Sequence, residues 1–165
     1  MKTSLVTGGA SGIGLEFVKL LLKDKYKVFI VDNNDKNLKK LKYNLNSNNY
    51  KFLKEDLSDD KSPKKIYNKL KNENIDVLIN NAGFGTHGKF YETDWNIEKK
   101  MLNLHVLNTT YLTKLFLKDM IKKNNGKILN ISSLAAFQPG PLMALYYATK
   151  AYILHFTEAI SNEVK

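Results

Sequence analysis

Thr7-Gly8-Gly9-Ala10-Ser11-Gly12-Ile13-Gly14 is the stretch whose reading decides the fold. It follows a short β-branched run, SLVTG, and opens a segment with apolar residues at three- and four-residue spacing. It therefore reads as the turn between a strand and a helix. Gly8, Gly12 and Gly14 lack a Cβ, so the backbone here can come close to a ligand. The helix that starts at the turn directs unpaired N–H groups and the positive end of its dipole at the same place, which suits a pyrophosphate. Ser11 adds a hydroxyl able to donate to phosphate oxygens, and Gly8, Ser11, Gly12, Ile13 and Gly14 form the expected cofactor-contacting set.

Working outward, short β-branched or aromatic runs alternate with longer helical patterns, the signature of a parallel α/β sheet. The first helix, from about Gly12, is expected to bury Ile13, Phe17, Leu20 and Leu21. KVFIVD is the second strand, Asp35 to Asn46 the second helix with Leu38, Leu41 and Leu45 inward, and YKFLKED a third strand ending near Asp56. Ser62-Pro63 reads as a helix start, with Ser as N-cap and Pro at the first helical position, the helix running to about Lys71. IDVLINN has almost no polar interruption, as a strand buried on both faces requires. After the loop GFGTHGKF comes a helical region from about Thr93 to Lys123. Then follow a stop at Asn125-Gly126, the fifth strand KILNISS, and a last helix from about Pro141 to the end. Right-handed crossovers give the sheet order 3-2-1-4-5, with ligand expected at the carboxyl ends of strands 1 and 4. The expectation is a single Rossmann-type, doubly wound domain over residues 1–165.

Composition narrows the function classes. The chain has 165 residues, of which 43% are hydrophobic and 25% charged, ordinary values for a globular domain. No apolar run approaches the roughly 20 residues needed to cross a bilayer, so no membrane partner and a cytoplasmic location are expected. There is no Cys, and His87, His105 and His155 are the only histidines, which leaves no metal cluster to expect. The net charge of +10 raises nucleic acid as a partner, but every basic residue is Lys, spread along the chain among Asn, and no nucleic-acid role is expected.

Asp32 ends the second strand 18 residues past Gly14, where an acidic residue accepts hydrogen bonds from an adenosine ribose diol and repels a 2′-phosphate. With no Arg to clamp that phosphate, although Lys36 can partly substitute, NAD is expected over NADP. Asp56 is a candidate adenine contact or a polar strand terminator. Ser133 follows the fifth strand, Tyr146 comes 13 residues later, and Lys150 four residues after that. Residues i and i+4 share a helix face, and an ammonium beside a phenol favours the phenolate. That pairing suits general acid–base chemistry at an alcohol or carbonyl.

Thr7-Gly8-x-x-x-Gly12-Ile13-Gly14, Asp56, Asn80-Asn81-Ala82-Gly83, Ser133 and Tyr146-x-x-x-Lys150 together resemble the short-chain dehydrogenase/reductase family, in order and spacing, over essentially the whole chain. The resemblance implies an NAD(P)-dependent oxidoreductase acting on a small-molecule secondary alcohol or ketone. It makes Tyr146 the acid/base, Lys150 the residue that binds the nicotinamide ribose and supports the phenolate, and Ser133 the substrate-oxygen ligand. Asn81, Ala82 and Gly83 line the cofactor, together with Tyr146 and Lys150. Family spacing selects Tyr146 over Tyr147 and Ser133 over Ser132.

Two departures stand out. Anchored on Leu112 to Lys114, His105 falls where the family carries a catalytic Asn, with Asn103 and Asn108 out of register; His can also relay protons, so His105 joins the catalytic candidates. The family also continues past the Tyr–Lys helix into two more strands, so the chain reads as incomplete at its C-terminus, with the fifth strand an apolar sheet edge prone to pairing. The alternative function is a catalytically silent nucleotide-binding or scaffold module. The resemblance also implies a homo-oligomer, joined through the helices near Leu102 to Met120 and Leu142 to Ile160.

Overall fold

The alternation of side chains along β1 (Thr3–Thr7) sends Leu5 to one face of a sheet and Val6 to the other, and both are wholly buried. In the computed structural model, which describes residues 1–45 and 47–164, every strand is parallel and the order is β3-β2-β1-β4-β5. The other strands are β2 (Lys27–Asp32), β3 (Tyr50–Lys54), β4 (Val77–Asn80) and β5 (Lys127–Asn130). The helices are α1 (Gly12–Lys23), α2 (Asp35–Asn44), α3 (Ser62–Leu70), α4 (Trp95–Leu102), α5 (Thr109–Lys122) and α6 (Ala144–Glu163). Leu5, Phe29, Val31 and Leu78 pack with Ile66, Leu70, Leu112 and Phe116 from α3 and α5. On the other face Val6, Val28, Ile30 and Ile79 pack with Val18, Leu38 and Leu41 from α1 and α2. Each fully buried Leu, Ile or Val contributes roughly 1.5–3 kcal/mol, so these two layers hold the strand ends in place.

The doubly wound arrangement and the 3-2-1-4-5 order agree with the sequence reading, and several boundaries do not. On α1 the buried line runs through Gly14 and Val18, with Leu15, Phe17, Leu21 and Leu22 packed beside it, whereas Ile13 is 64% exposed and Leu20 lies on the outer side with it. Residues seven apart share a helix face, so Ile13 and Leu20 leave the core together. Ser62 does not cap α3: Lys61 occupies that place, and the Ser62 hydroxyl donates to the Asp56 carbonyl at 2.7 Å. The N-caps of α2 and α4 are Asn34, which accepts from the Lys36 and Asn37 amides, and Asp94, which accepts from that of Asn96. The region expected as one helix from Thr93 to Lys123 is interrupted at Asn103–Asn108 by a π-helical turn. The last helix starts at Ala144 instead of Pro141, because Leu142 takes a left-handed φ of 66° that no helix continues. Strands 3, 4 and 5 also end earlier than expected, which places Asp56, Asn81 and Ser133 in loops at the strands' carboxyl ends. Asn46 and Lys165, the expected ends of the second and last helices, lie outside the described residues.

Among the described residues β5 pairs only with β4 and forms one edge of the sheet. A groove of about 510 Å³, lined by Met120, Ile128, Thr157 and Ile160 among others, runs beside it between α5 and α6.

Candidate active site

The turn between β1 and α1 is built from backbone. Gly8 and Gly12 have φ of 62° and 53°, a region L-residues avoid. A Cβ on Gly14 would run into the Gly8 carbonyl oxygen, and one on Gly8 would stand 2.8 Å from the Ala82 Cα, so both are required for close packing. A Cβ on Gly12 would meet nothing within 4 Å. The space beside Gly12 is open at the place where the first amides of α1 emerge. Ser11, the N-cap, uses its backbone there and makes no side-chain cap, so its hydroxyl does not compete for those amides. This is a cradle for an anion, and a nicotinamide dinucleotide's pyrophosphate fits it.

Asp32 is fixed against the same turn. One carboxylate oxygen accepts from the Ala10 amide at 3.1 Å and the other from the Asn34 amide at 3.0 Å, while the Gly8 amide bonds the Val31 carbonyl at 2.8 Å. Asp56 is used otherwise, accepting from the amide and hydroxyl of Ser58 in a local turn.

Thr7 joins this half to the loop after β4. Its hydroxyl oxygen accepts from the amides of Asn81 (3.0 Å) and Ala82 (3.1 Å), and the Asn81 side chain donates to the carbonyls of Thr7 and Gly8. Asn81 thus acts on the phosphate turn itself, and the wall continues through Ala82 and Gly83. Behind it, buried Asn80 donates to Thr113 and Asn130, and Asn130 donates to Thr157, which ties β4 and β5 to α5 and α6.

The catalytic candidates meet at the start of α6. The Lys150 ammonium lies 5.8 Å from the centre of the Tyr146 ring and donates to the Ile131 carbonyl at 2.9 Å. Lys150 is 5% exposed, and burial holds its ammonium below the usual lysine range. Ser132 donates its hydroxyl to the Lys150 carbonyl at 2.8 Å, so it serves to hold α6. Ser133 accepts from the Ala135 amide at 3.1 Å, capping a short 3-10 turn at Leu134–Phe137, and its own hydroxyl hydrogen is not spent in that bond. The two tyrosines divide similarly. Tyr147 lies over Gly140, whose missing Cβ makes room for its ring, while Tyr146 faces His105, edge to face with centroids 5.9 Å apart.

His105 is 1% exposed. Its Nε2 accepts from the Phe84 amide at 3.2 Å and its Nδ1 lies 2.9 Å from Thr149 Oγ1. Burial first, and the Lys150 charge second, pull its pKa down from 6.5 to about 4. Thr149 and the Phe84 amide were not among the residues expected from sequence, and Thr7 was read only as part of the glycine pattern, without a bonding role. Asn103 and Asn108, out of register for catalysis, instead bond the Ser58, Leu57 and Asp59 carbonyls. Among the described residues no group of three or more His, Cys, Asp or Glu is placed to hold a metal ion.

Comparison with known proteins agrees with this geometry. The family model described as short chain dehydrogenase matches residues 2–165. The very-long-chain 3-oxoacyl-CoA reductase of Rattus norvegicus is 32% identical over 98% of this chain and 54% of its own length. The 3-oxoacyl-acyl-carrier-protein reductase of Rickettsia prowazekii is 32% identical over 99% of this chain and 66% of its own. A short-chain dehydrogenase from Sphingobium yanoikuyae, solved in complex with NADPH, superposes with a TM-score of 0.92 at 26% identity, covering 99% of this chain and 66% of that one. The chain thus spans between about half and two thirds of the length of these relatives. The chain belongs to the short chain dehydrogenase family.

Proposed function

We propose that the chain is the dinucleotide-binding and catalytic part of an NAD(P)-dependent oxidoreductase that interconverts a secondary alcohol and a ketone. The observation that carries this reading is the Tyr146 ring, which has the His105 imidazole edge to face at 5.9 Å and the buried Lys150 ammonium 5.8 Å from its centre. A bound nicotinamide supplies or accepts the hydride. Gly8, Ser11, Gly12 and Gly14 would hold its phosphates, Asp32 the adenosine ribose, and Asn81 to Gly83 the wall leading to Lys150. In reduction the Tyr146 hydroxyl would donate a proton to the ketone oxygen that Ser133 positions; in oxidation the Tyr146 phenolate would take that proton from the alcohol. The Lys150 cation favours the phenolate that reduction leaves behind and oxidation starts from.

The substrate reading is an apolar one. Leu134 and Phe137, in the turn that Ser133 caps, are 87% and 72% exposed, and Met143 lies with the Tyr146 ring against Gly85. An apolar chain attached to the carbonyl would cover them, and the 3-oxoacyl substrates in the relatives' names carry one. NAD is the preferred cofactor in this reading, because a carboxylate at Asp32, fixed by the Ala10 and Asn34 amides, would repel a 2′-phosphate at the adenosine ribose. The NADPH-bound Sphingobium neighbour weighs the other way. A titration with NADH and NADPH decides: Asp32→Ala should raise the relative affinity for NADPH about tenfold, a difference of roughly 1.4 kcal/mol. Equal ratios in both proteins would remove Asp32 from the reading.

Activity is tested by hydride transfer from deuterium-labelled cofactor to a panel of apolar ketones. Tyr146→Phe should lower the rate by roughly 10²–10⁴-fold, the usual worth of a positioned acid/base. Unchanged turnover in that variant would sink the assignment. The silent-module alternative predicts tight cofactor binding with no transfer in the unaltered protein.

A further inference from the structure

His105 leaves its helix from the middle of a π-helical turn whose two ends are pinned elsewhere. Asn103 donates to the Ser58 carbonyl at 3.2 Å, and Asn108 to those of Leu57 and Asp59 at 2.7 and 2.9 Å. A π turn holds one residue more than an α turn between bonded groups, which changes the direction its side chains take. The anchored turn aims the imidazole into the gap between the β4 loop and α6, where it spans from Phe84 to Thr149. Gly83 makes the fit possible, since a Cβ there would stand 2.8 Å from Nε2.

The protons in this bridge have one arrangement. A backbone N–H only donates, so the Nε2 that faces the Phe84 amide is unprotonated and Nδ1 carries the hydrogen. That hydrogen goes to Thr149 Oγ1, and the Thr149 hydroxyl donates in turn to the Tyr146 carbonyl at 2.8 Å. The chain Phe84 N–H, His105, Thr149, Tyr146 C=O runs in one direction, and no ring nitrogen is left to accept another proton. Lys150 spends a hydrogen on the Ile131 carbonyl instead.

We infer that His105 is a neutral positioning residue, which fixes the Tyr146 backbone against the Gly83–Phe84 wall through this one-way chain and carries no proton to or from Lys150. The charged and titratable groups around the ring are Lys150 and Tyr146, and among the described residues no carboxylate hydrogen-bonds it. A cation nearby and full burial both disfavour the imidazolium. The link to turnover rests on Tyr146 as the acid/base, whereas the bridge itself does not.

The test uses three variants and two kinds of readout. Histidine ¹⁵N spectra of the unaltered protein should give His105 an unprotonated Nε2 and a protonated Nδ1, unchanged down to about pH 5.5, more than one pH unit above its pKa of about 4. Gln at position 105 sets an acceptor near the Nε2 position, and Asn sets a polar group near Nδ1. His105→Ala should speed hydrogen exchange of the Phe84 amide roughly tenfold or more, His105→Gln should restore protection, and His105→Asn should not. In turnover, a misplaced Tyr146 in His105→Ala should lower kcat on the order of tenfold or more. His105→Asn should recover most of that kcat and His105→Gln mainly the cofactor KM. A proton carried by His105 predicts the reverse: a ring that titrates or holds hydrogen on Nε2, and Asn and Gln variants as slow as Ala. Either result overturns the inference. If the unaltered protein does not turn over, the function proposed above fails, and the spectra and exchange rates still decide the bridge.

Discussion

The two ends of the cleft are built on different principles. The cofactor end is one continuous turn, Thr7 to Gly14, whose geometry comes from absent side chains: Gly8 and Gly12 supply left-handed φ, and Gly14 supplies clearance from the Gly8 carbonyl. The proposed catalytic end gathers four separated segments, at Phe84, His105, Ile131 and Tyr146–Lys150, through side-chain and main-chain hydrogen bonds. Damage at the first end is therefore steric and local. At the second it is polar and spreads along a chain of bonds.

Acid should separate the two ends most strongly. His105 has a folded pKa of about 4 against 6.5 when free, so between those values the unfolded chain binds more protons than the folded one. The stability linked to His105 is complete above pH 6.5 and is lost as pH falls towards 4, by about 3 kcal/mol at most. Urea melts at intervals across that range, with His105→Gln subtracted to remove other groups, should give a slope that disappears in the variant. A slope equal in both proteins would place the acid sensitivity elsewhere.

Steric change at the turn comes next. Gly14→Ala forces a methyl against backbone that cannot move aside, and overpacking of this kind costs roughly 1–3 kcal/mol in the thermal or urea melt. Gly12→Ala should be milder for stability, about 1–2 kcal/mol from its left-handed φ alone. Because its Cβ would point into open space beside the helix amides, it should weaken cofactor binding out of proportion to its effect on the fold. Equal losses of stability and affinity in the two variants would contradict the open cradle.

The same contrast explains what was legible in the sequence. Sheet order and the glycine turn could be read because both are local: strand periodicity, a Gly spacing and an Asp at a strand end lie within a few turns of one another. That Tyr146 and Lys150 lie near each other was legible for the same reason, four residues apart on one helix. The hydrogen-bond setting of His105 was not, because its partners are a backbone amide 21 residues before it and a threonine 44 residues after it. The break at Asn103–Asn108 left no mark either, since a π turn keeps the apolar rhythm of the helices around it and differs only in where Asn103 and Asn108 find carbonyls. Ile13 and Leu20 were misplaced for a plainer reason: an apolar residue at helical spacing need not face the core, and these two share the outer face.

One titration tests the central claim, that cofactor binding belongs to the glycine turn and proton transfer to Tyr146. NADH fluorescence is followed on the unaltered chain, on Tyr146→Phe and on Gly14→Ala, each first checked for a folded state by its melt. The account predicts that Tyr146→Phe binds within about twofold of the unaltered chain, whereas Gly14→Ala loses about tenfold or more, roughly 1.4 kcal/mol. Loss of binding in Tyr146→Phe as great as in Gly14→Ala would contradict it.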